Sequence, residues 1–347
     1  MTDLPRVAAE GRSAREVLAW SRNTVDPALR LAVDDLTGSV RRIAGYHFGW
    51  WDEHGQPLNA ESGKAVRPAL SLLAAEAVGG DATAGVAPAV AVELVHNFSI
   101  LHDDVMDHDT TRRHRPTAWT VFGTDAAILA GDALLTLAFD VLAVCGHAAA
   151  PQGLRMLSES VLHLLDGQGA DLAFERRDDV TLAECLAMAR GKTGALIGGA
   201  CGLGALFGNG DHHQVDQLRD FGENLGLAYQ FVDDLLGIWG DPSVTGKPVF
   251  SDLHSRKKSL PVVSALNSGT PPGQELAELY RRERPISNVD VEHAANLIDL
   301  AGGRAWSQST TSELVSEALR HLGSASPVAY AAAELTALAG LITSRDR

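Results

Sequence analysis

Several stretches of the chain collect side chains able to hold a cation or a phosphate. Residues 103–115 read DDVMDHDTTRRHR, with Asp103 and Asp107 at i and i+4. On a helix that spacing sends both carboxylates from one face. Alone they repel each other. Across a Mg²⁺ they become two hard oxygen ligands, and that ion fills its octahedron with water and phosphate oxygens. His96 lies two helical turns earlier on the same face. A second acidic pair, Asp233–Asp234 in AYQFVDDLLGIWGD, follows 130 residues after Asp103–Asp104. Each pair sits late in an apolar run, and each is followed by a basic loop: RRHR after the first, GKP and SRKKSLP after the second. A single acidic pair is most often a solvated helix end. Two in the same setting point to a site that assembles metal ions and phosphates.

The basic residues fall into separate blocks. GKAVRP (63–68) places Lys64 and Arg67 just before or in the first turn of a helix, where Pro68 is at home and anions are favoured. In ARGKTGAL (189–196), Lys192 and Thr193 sit between Gly191 and Gly194 inside an otherwise apolar helix. That setting predicts a local distortion exposing backbone carbonyls.

The elements that must position these groups are helices. The chain has 347 residues, Ala- and Leu-rich, with only 5 % aromatics. Apolar residues recur at spacings of three and four, as in Val90, Leu94, Phe98, Leu101 and Val105. Helices are expected over roughly 25–47, 65–78, 89–107, 125–147, 152–175, 182–207, 212–239, 258–267, 288–301, 304–322 and 327–343. No alternating strand pattern or long linker interrupts them, so the reading is one all-α domain over 1–347 with a short mobile N-terminus to about residue 15. The net charge of −15 argues against nucleic acid as a partner. The best membrane candidate, LLTLAFDVLAVCGHAAA, is broken by Asp140 and His147, so no transmembrane segment is expected. The opening residues have no signal-peptide core. Cys145, Cys185 and Cys201 are odd in number and set among apolar residues, which reads as reduced thiols in a cytoplasmic protein.

Five ordered blocks then spell a family pattern: GKAVRP, ELVHNFSILHDDVMDHDTTRRHRPT, GQGADL, GKTGAL, and GLAYQFVDDLLGIWGD with TGKP and RKKSLP behind it. The chain resembles the trans-isoprenyl diphosphate synthases (polyprenyl synthetases), most of all the bacterial geranylgeranyl diphosphate synthases. The resemblance runs from about Leu31 to the C-terminal helix. It implies a single large helical bundle around a deep central cavity, a homodimer, and prenyl transfer from an allylic diphosphate to isopentenyl diphosphate with three Mg²⁺ ions. It further implies that Asp103, Asp107 and Asp233 bind the metals, supported by Asp104 and Asp234. Arg112, Lys192 and Lys247 would hold the allylic diphosphate. Lys64, Arg67, His96 and Arg113 would hold that of isopentenyl diphosphate. Thr193 and Gln230 would face the reacting carbons, with Gln168, Asp171 and Lys257 behind the substrate ligands. Two letters depart from the pattern. Gly237 stands where the second acidic motif usually ends in Asp, an absence that Asp241 is expected to offset in part, and His114 stands where the turn after the arginine pair usually carries Gly.

In this family the residues four and five before the first Asp often floor the cavity. Here they are Ser99 and Phe98, and a lone aromatic at the fifth position resembles enzymes that stop at twenty carbons. On an ideal helix Ser99 lies about 40° from Asp103 but Phe98 about 140° away. Phe98 then reaches the cavity only through a kink or a wrapped cavity. The expected activity is geranylgeranyl diphosphate synthesis, with a farnesyl or longer-chain synthase as the alternative. A class I terpene cyclase would lack the isopentenyl diphosphate residues, and a non-catalytic partner subunit would lose acidic ligands. This chain keeps both sets.

Overall fold

The computed structural model describes residues 11–58, 63, 65–241, 249–282 and 287–343. The expected mobile N-terminus falls mostly outside them. The helix α1 (Ala14–Asp34) begins well before the expected start near residue 25, because Ser13 and Glu16 close a reciprocal capping box around its first turn. Arg12, just before it, donates to both carboxylate oxygens of the buried Glu334 and to Glu76.

The expected helix over 25–47 is two helices. Gly38, at φ +51°, breaks the path between α1 and α2 (Gly38–His47). Then come α3 (Val66–Ala77), α4 (Val86–Met106), a short α5 (Ala118–Phe122), α6 (Thr124–Val144), α7 (Ala150–Phe174) and α8 (Leu182–Ala189). A single π-helical turn, Arg190–Gly194, leads into α9 (Ala195–Phe207), and α10 (His212–Trp239) follows. After α10 lie α11 (Ser251–His254), α12 (Leu260–Leu266), α13 (Pro271–Tyr280), α14 (Asn288–Leu300), α15 (Gly303–Ser324) and α16 (Ala329–Thr343). The strand content among the described residues is a two-residue hairpin, β1 (Thr111–Arg112) with β2 (Arg115–Pro116), and a bridge between Trp51 and Pro57.

The centre is α9, whose thirteen residues are all buried. Its sequence ALIGGACGLGALF permits this because small residues let neighbouring backbones approach. A side chain at Gly204 would strike the Ser71 carbonyl of α3. Around α9 stand α3, α7 and α10, with α15 on the far side of α10 and α4 against α6. Three apolar clusters share α10. Its first half joins the main core, Phe231 packs with α8 and the start of α12, and Ile238 packs with α11 to α14. Asp233 and Asp234 sit at that junction.

Two helical stretches, Ala82–Met106 and Thr124–Val144, are long and apolar enough to cross a membrane. The first is largely core. In α6, Ile128, Leu129 and Val144 are at the surface, as are Leu162 and Leu165 of α7.

Candidate active site

The first acidic motif closes α4. The Asp107 amide donates to the Asp103 carbonyl at 2.8 Å, so the helical path holds through both residues and the i, i+4 alignment is real. The two carboxylates differ in depth: Asp103 is partly buried and Asp107 exposed. Burial raises both carboxyls above the ordinary range and Lys192 pulls them back; Asp107 and Asp171 add to the rise of Asp103, and Asp171 and Asp109 to that of Asp107. Asp104 points the other way and is only 1 % exposed. It accepts from Arg112 Nε at 2.5 Å, while its Oδ2 has no partner. Burial pushes Asp104 up to about 6 against the pull of Arg112.

Arg112 begins the hairpin that follows, and its Nη2 also reaches Asp109 at 3.3 Å. Arg112 pairs with Arg115, so the turn consists of Arg113 and His114 alone, at φ +51° and +61°. A two-residue hairpin turn of this hand needs positive φ at both positions, which explains why a family Gly belongs where His114 stands.

Lys192 lies in the π turn, so the expected distortion is present. Its Nζ is 2.7 Å from Asp171 and 3.8 Å from Asp103. The turn thus bridges α7 to α4. Next to it, Thr193 Oγ1 donates to Gln230 Oε1 at 2.6 Å, and Gln230 Nε2 donates to Asp234 Oδ1 at 2.8 Å. The other Asp234 oxygen accepts the Leu260 amide at 2.9 Å. Thr193, Gln230 and Asp234 form one chain. Burial pushes Asp234 up to about 7, opposed chiefly by Lys257. Lys257 is itself held well above the usual lysine range: burial lowers it, but Asp234, Asp252, Asp171 and Asp233 outweigh that. Asp233 is exposed, one residue from Asp234 but on the open side. Gln168 donates weakly to Met106 Sδ at 3.9 Å, and its carbonyl oxygen is unpartnered.

Arg67 occupies the first turn of α3, behind Ala65 in a left-handed conformation. Its Nη1 lies 3.2 Å from His96 Nε2. Burial and the cations Arg67 and Arg113 hold His96 well below its ordinary value, so the ring is neutral. A side chain at Gly63 would run into the Arg113 guanidinium, which places Arg113 over the same corner. Lys64 and Lys247 lie outside the described residues.

Two residues missed in the sequence complete this picture. A side chain at Gly237 would collide with the carboxylate of Asp252. Asp241 is exposed beyond the end of α10, and it is Asp252, from α11, that fills the place of the absent motif carboxylate. Its signal was its position five residues before Lys257 in the basic block. The other is Glu93, on α4 one turn before His96, which had no charged neighbour in sequence to mark it.

Phe98 is buried and meets His102 edge-on, with centroids 4.8 Å apart. His102 Nε2 lies 3.0 Å from the Ile128 carbonyl, so Phe98 stands at the seam of α4 and α6. Ser99 lies on the Asp103 side and bonds back to the His96 carbonyl at 2.8 Å. The thiols of Cys185 and Cys201 are raised by burial and are inert, and all three cysteines are free. A groove of about 550 Å³ opens on the opposite side of the π turn, lined by Asp166, Arg177, Arg190 and Glu223. It contains none of the acidic-motif residues.

The donor set fits Mg²⁺. It offers carboxylates whose charged form burial disfavours and a cation would favour, an unpartnered oxygen on Asp104, and exposed carboxylates on Asp107 and Asp233. Among the described residues no three carboxylate, imidazole or thiol groups converge on one point. Ligands on α4 and α10 would therefore have to be joined by ions and phosphates between them.

The chain as a whole is similar to proteins of one family. The family model for Polyprenyl synthetase matches residues 50–298. The chain is 44 % identical over 338 residues to a (2E,6E)-farnesyl diphosphate synthase of Mycobacterium bovis, covering 96 % of this chain and 94 % of that one. It is also 44 % identical over 333 residues to a geranylgeranyl diphosphate synthase of Mycobacterium tuberculosis, with the same coverage. A polyprenyl synthetase structure from Streptomyces coelicolor A3(2) superposes with a TM-score of 0.90 at 44 % identity, covering 94 % of this chain and 98 % of that one. The chain belongs to the polyprenyl synthetase family and is a prenyl diphosphate synthase, an enzyme that transfers prenyl groups.

Proposed function

We propose that this enzyme condenses isopentenyl diphosphate with an allylic diphosphate and releases geranylgeranyl diphosphate. The observation that carries the transfer reaction is the meeting of three helices at Lys192, where Asp103 and Asp171 converge and the Thr193–Gln230–Asp234 chain begins. Asp103, Asp107 and Asp233 hold Mg²⁺, with Asp104 and Asp234 orienting the groups around them. Three ions are expected once substrate is bound. Bound magnesium supplies positive charge to the leaving diphosphate, which lets the allylic C–O bond ionise. Arg112, Lys192 and Lys247 add their charge to the same group. Lys64, Arg67, His96 and Arg113 seat isopentenyl diphosphate. Thr193 donates its hydroxyl hydrogen bond to Gln230, which leaves its oxygen lone pairs free to face a developing carbocation. Apolar walls keep water from the cation. The double bond attacks, and the proton lost afterwards goes to the released diphosphate.

The product length rests on Phe98 as the cavity floor at the α4–α6 seam. A farnesyl reading is favoured by the 44 % identical mycobacterial farnesyl synthase. Incubation with Mg²⁺, farnesyl diphosphate and labelled isopentenyl diphosphate decides between them. A labelled twenty-carbon diphosphate supports the proposal. No incorporation with farnesyl diphosphate, but incorporation with geranyl diphosphate, establishes the farnesyl reading. A hydrocarbon without label would mark a cyclase. Phe98→Ala should extend the product beyond twenty carbons, and an unchanged product from folded, active enzyme would remove Phe98 from the floor.

We further propose a homodimer through α6 and α7. Ile128, Leu129, Val144, Leu162 and Leu165 present an apolar surface. Lipid is a poor cover for it, since Asp125, Asp132 and Asp140 are exposed on the same helix and each would cost several kcal/mol in a bilayer, roughly 2.5 or more. Three free thiols suit the reducing cytoplasm.

A further inference from the structure

We propose that Glu93 acts on the isopentenyl diphosphate pocket through Arg67 and Arg113: a buried carboxylate whose charge, set behind both guanidiniums, limits how tightly they grip the diphosphate. This rests on the reading above that Arg67, His96 and Arg113 bind that substrate. Glu93 is on α4, one turn before His96, and Asn97 Nδ2 fixes it by donating to Oε1 at 3.0 Å. It lines a small cavity of about 20 Å³ with Ser21, Arg22, Asp26, Ala65 and Pro68, so it backs the residues on either side of Arg67. The cations in front are crowded. Arg22 Nη2 donates to the Gly63 carbonyl at 2.5 Å, and the Arg113 guanidinium lies over the same glycine. Among the described residues neither Arg67 nor Arg113 has a carboxylate within 4.0 Å. The buried Nε atoms of Arg22 and Arg67 have no hydrogen-bond partner. Guanidiniums this close repel, and burying them unpaired is costly. Glu93 is a buried carboxylate coupled to both: burial, with Asp26 adding to it, raises its carboxyl, while Arg67, the Asn97 bond and Arg113 draw it back toward the ionised form.

The consequence for turnover follows from where the bond forms. The new C–C bond is made to isopentenyl diphosphate, so the elongated product still carries its diphosphate in this pocket. It has to leave before another round. A fixed negative charge behind the arginines loosens that hold. At an effective dielectric of about 20, one unit charge about 12 Å from the diphosphate, behind the arginines, changes affinity by roughly tenfold.

The test is Glu93→Gln, which keeps the acceptor for Asn97 and removes only the charge, beside Glu93→Asp, which keeps the charge. Affinity for isopentenyl diphosphate is measured by calorimetry, with steady-state KM and kcat for both substrates. Glu93→Gln should bind isopentenyl diphosphate about tenfold tighter, with lower kcat and an unchanged allylic KM. Glu93→Asp should stay within a few-fold of the parent. Unchanged or weaker binding by folded Glu93→Gln overturns the proposal. If that variant does not fold, a tenfold loss of affinity in Glu93→Asp overturns it, because side-chain length and not charge would then matter. A parent enzyme that binds no isopentenyl diphosphate would instead refute the assignment of the pocket.

Discussion

Restoring the usual motif letter by Gly237→Asp should damage this enzyme. On sequence grounds the change looks like a repair, and on helix propensity it is mildly favourable, since removing Gly from a helix interior gains up to about 0.5 kcal/mol when the new residue is Asp. The space argues the other way. A Cβ at 237 meets the Asp252 carboxylate, so either the helices part or Asp252 turns away. Overpacking of this kind costs about 1–3 kcal/mol. If Asp252 turns, buried Lys257 loses one of the anions that sustain its charge. If it stays, two carboxylates about 4 Å apart repel by up to about 4 kcal/mol at an effective dielectric of 20. Each route exceeds the propensity gain, and the net loss should be about 2 kcal/mol. The measurement is the urea midpoint of the metal-free protein at constant m-value, with Mg²⁺-dependent thermal stabilisation in the presence of inorganic pyrophosphate as a second readout. The double variant Gly237→Asp/Asp252→Gly should regain most of the stability. A single variant as stable as the parent would refute the claim that Asp252 occupies the motif's missing corner.

Asp103→Asn and Asp233→Asn should each lower kcat by orders of magnitude while leaving the unfolding midpoint near that of the parent; near-parental turnover in either would sink the ligand assignment. His114→Gly should stabilise the hairpin by about 1 kcal/mol, because a non-glycine residue at positive φ costs roughly that much, and the denaturation midpoint reports it. Asp234 should make the metal-free parent differ in pH dependence from Asp234→Asn. Its folded value of about 7 lies above an unfolded value near 3.9. Its contribution is therefore fully present below the unfolded value and lost as pH climbs through the folded one. The buried His47 and His96, held low by burial, work in the opposite sense in both proteins, so the readout is the difference between them. Relative to the variant, the parent should lose about 2 kcal/mol between pH 5.5 and 8 at ~1.4 kcal/mol per unit, and equal pH slopes in urea denaturation would contradict the assignment.

Much of this was legible in the sequence because periodicity and motif spacing are local properties. The i, i+4 pair on α4, the Gly-flanked distortion at Lys192 and the helical start at Arg67 all depend on neighbours within a turn or two. What escaped depended on distance through space. Glu93 reads as one more polar residue on an apolar helix until α1 and α3 are packed against it. Asp252 gains its meaning only when α11 folds back on α10, fifteen residues after Gly237. The hairpin was missed because two-residue strands leave no alternation to detect, and its turn carries Arg–His instead of a glycine signal. The split between α1 and α2 turned on one glycine at positive φ within a continuous apolar pattern.

The mixture of charges that marks the sequence has a consistent logic in the fold. With no substrate present the cations are not idle. Arg112 is engaged by Asp104 and Asp109, Lys192 by Asp171 and Asp103, and Lys257 faces Asp234 and Asp252. Each pair offsets the cost of holding charge in a partly buried site. Under the proposed assignment, substrate binding would be an exchange of partners and not a neutralisation of bare charge. Diphosphate would take over the cations, and the released carboxylates would be left to metal ions. An exchange costs less desolvation than binding to unpaired charges, because neither the cations nor the carboxylates are stripped of one partner before they meet the next. It also makes metal and diphosphate binding mutually dependent, since each leaves unpaired the groups that the other needs. Lys192→Gln should therefore weaken Mg²⁺ binding less in the absence of diphosphate than in its presence. Calorimetric Mg²⁺ titrations with and without pyrophosphate measure that coupling directly, and an equal effect in both titrations would show that the two ligands bind independently.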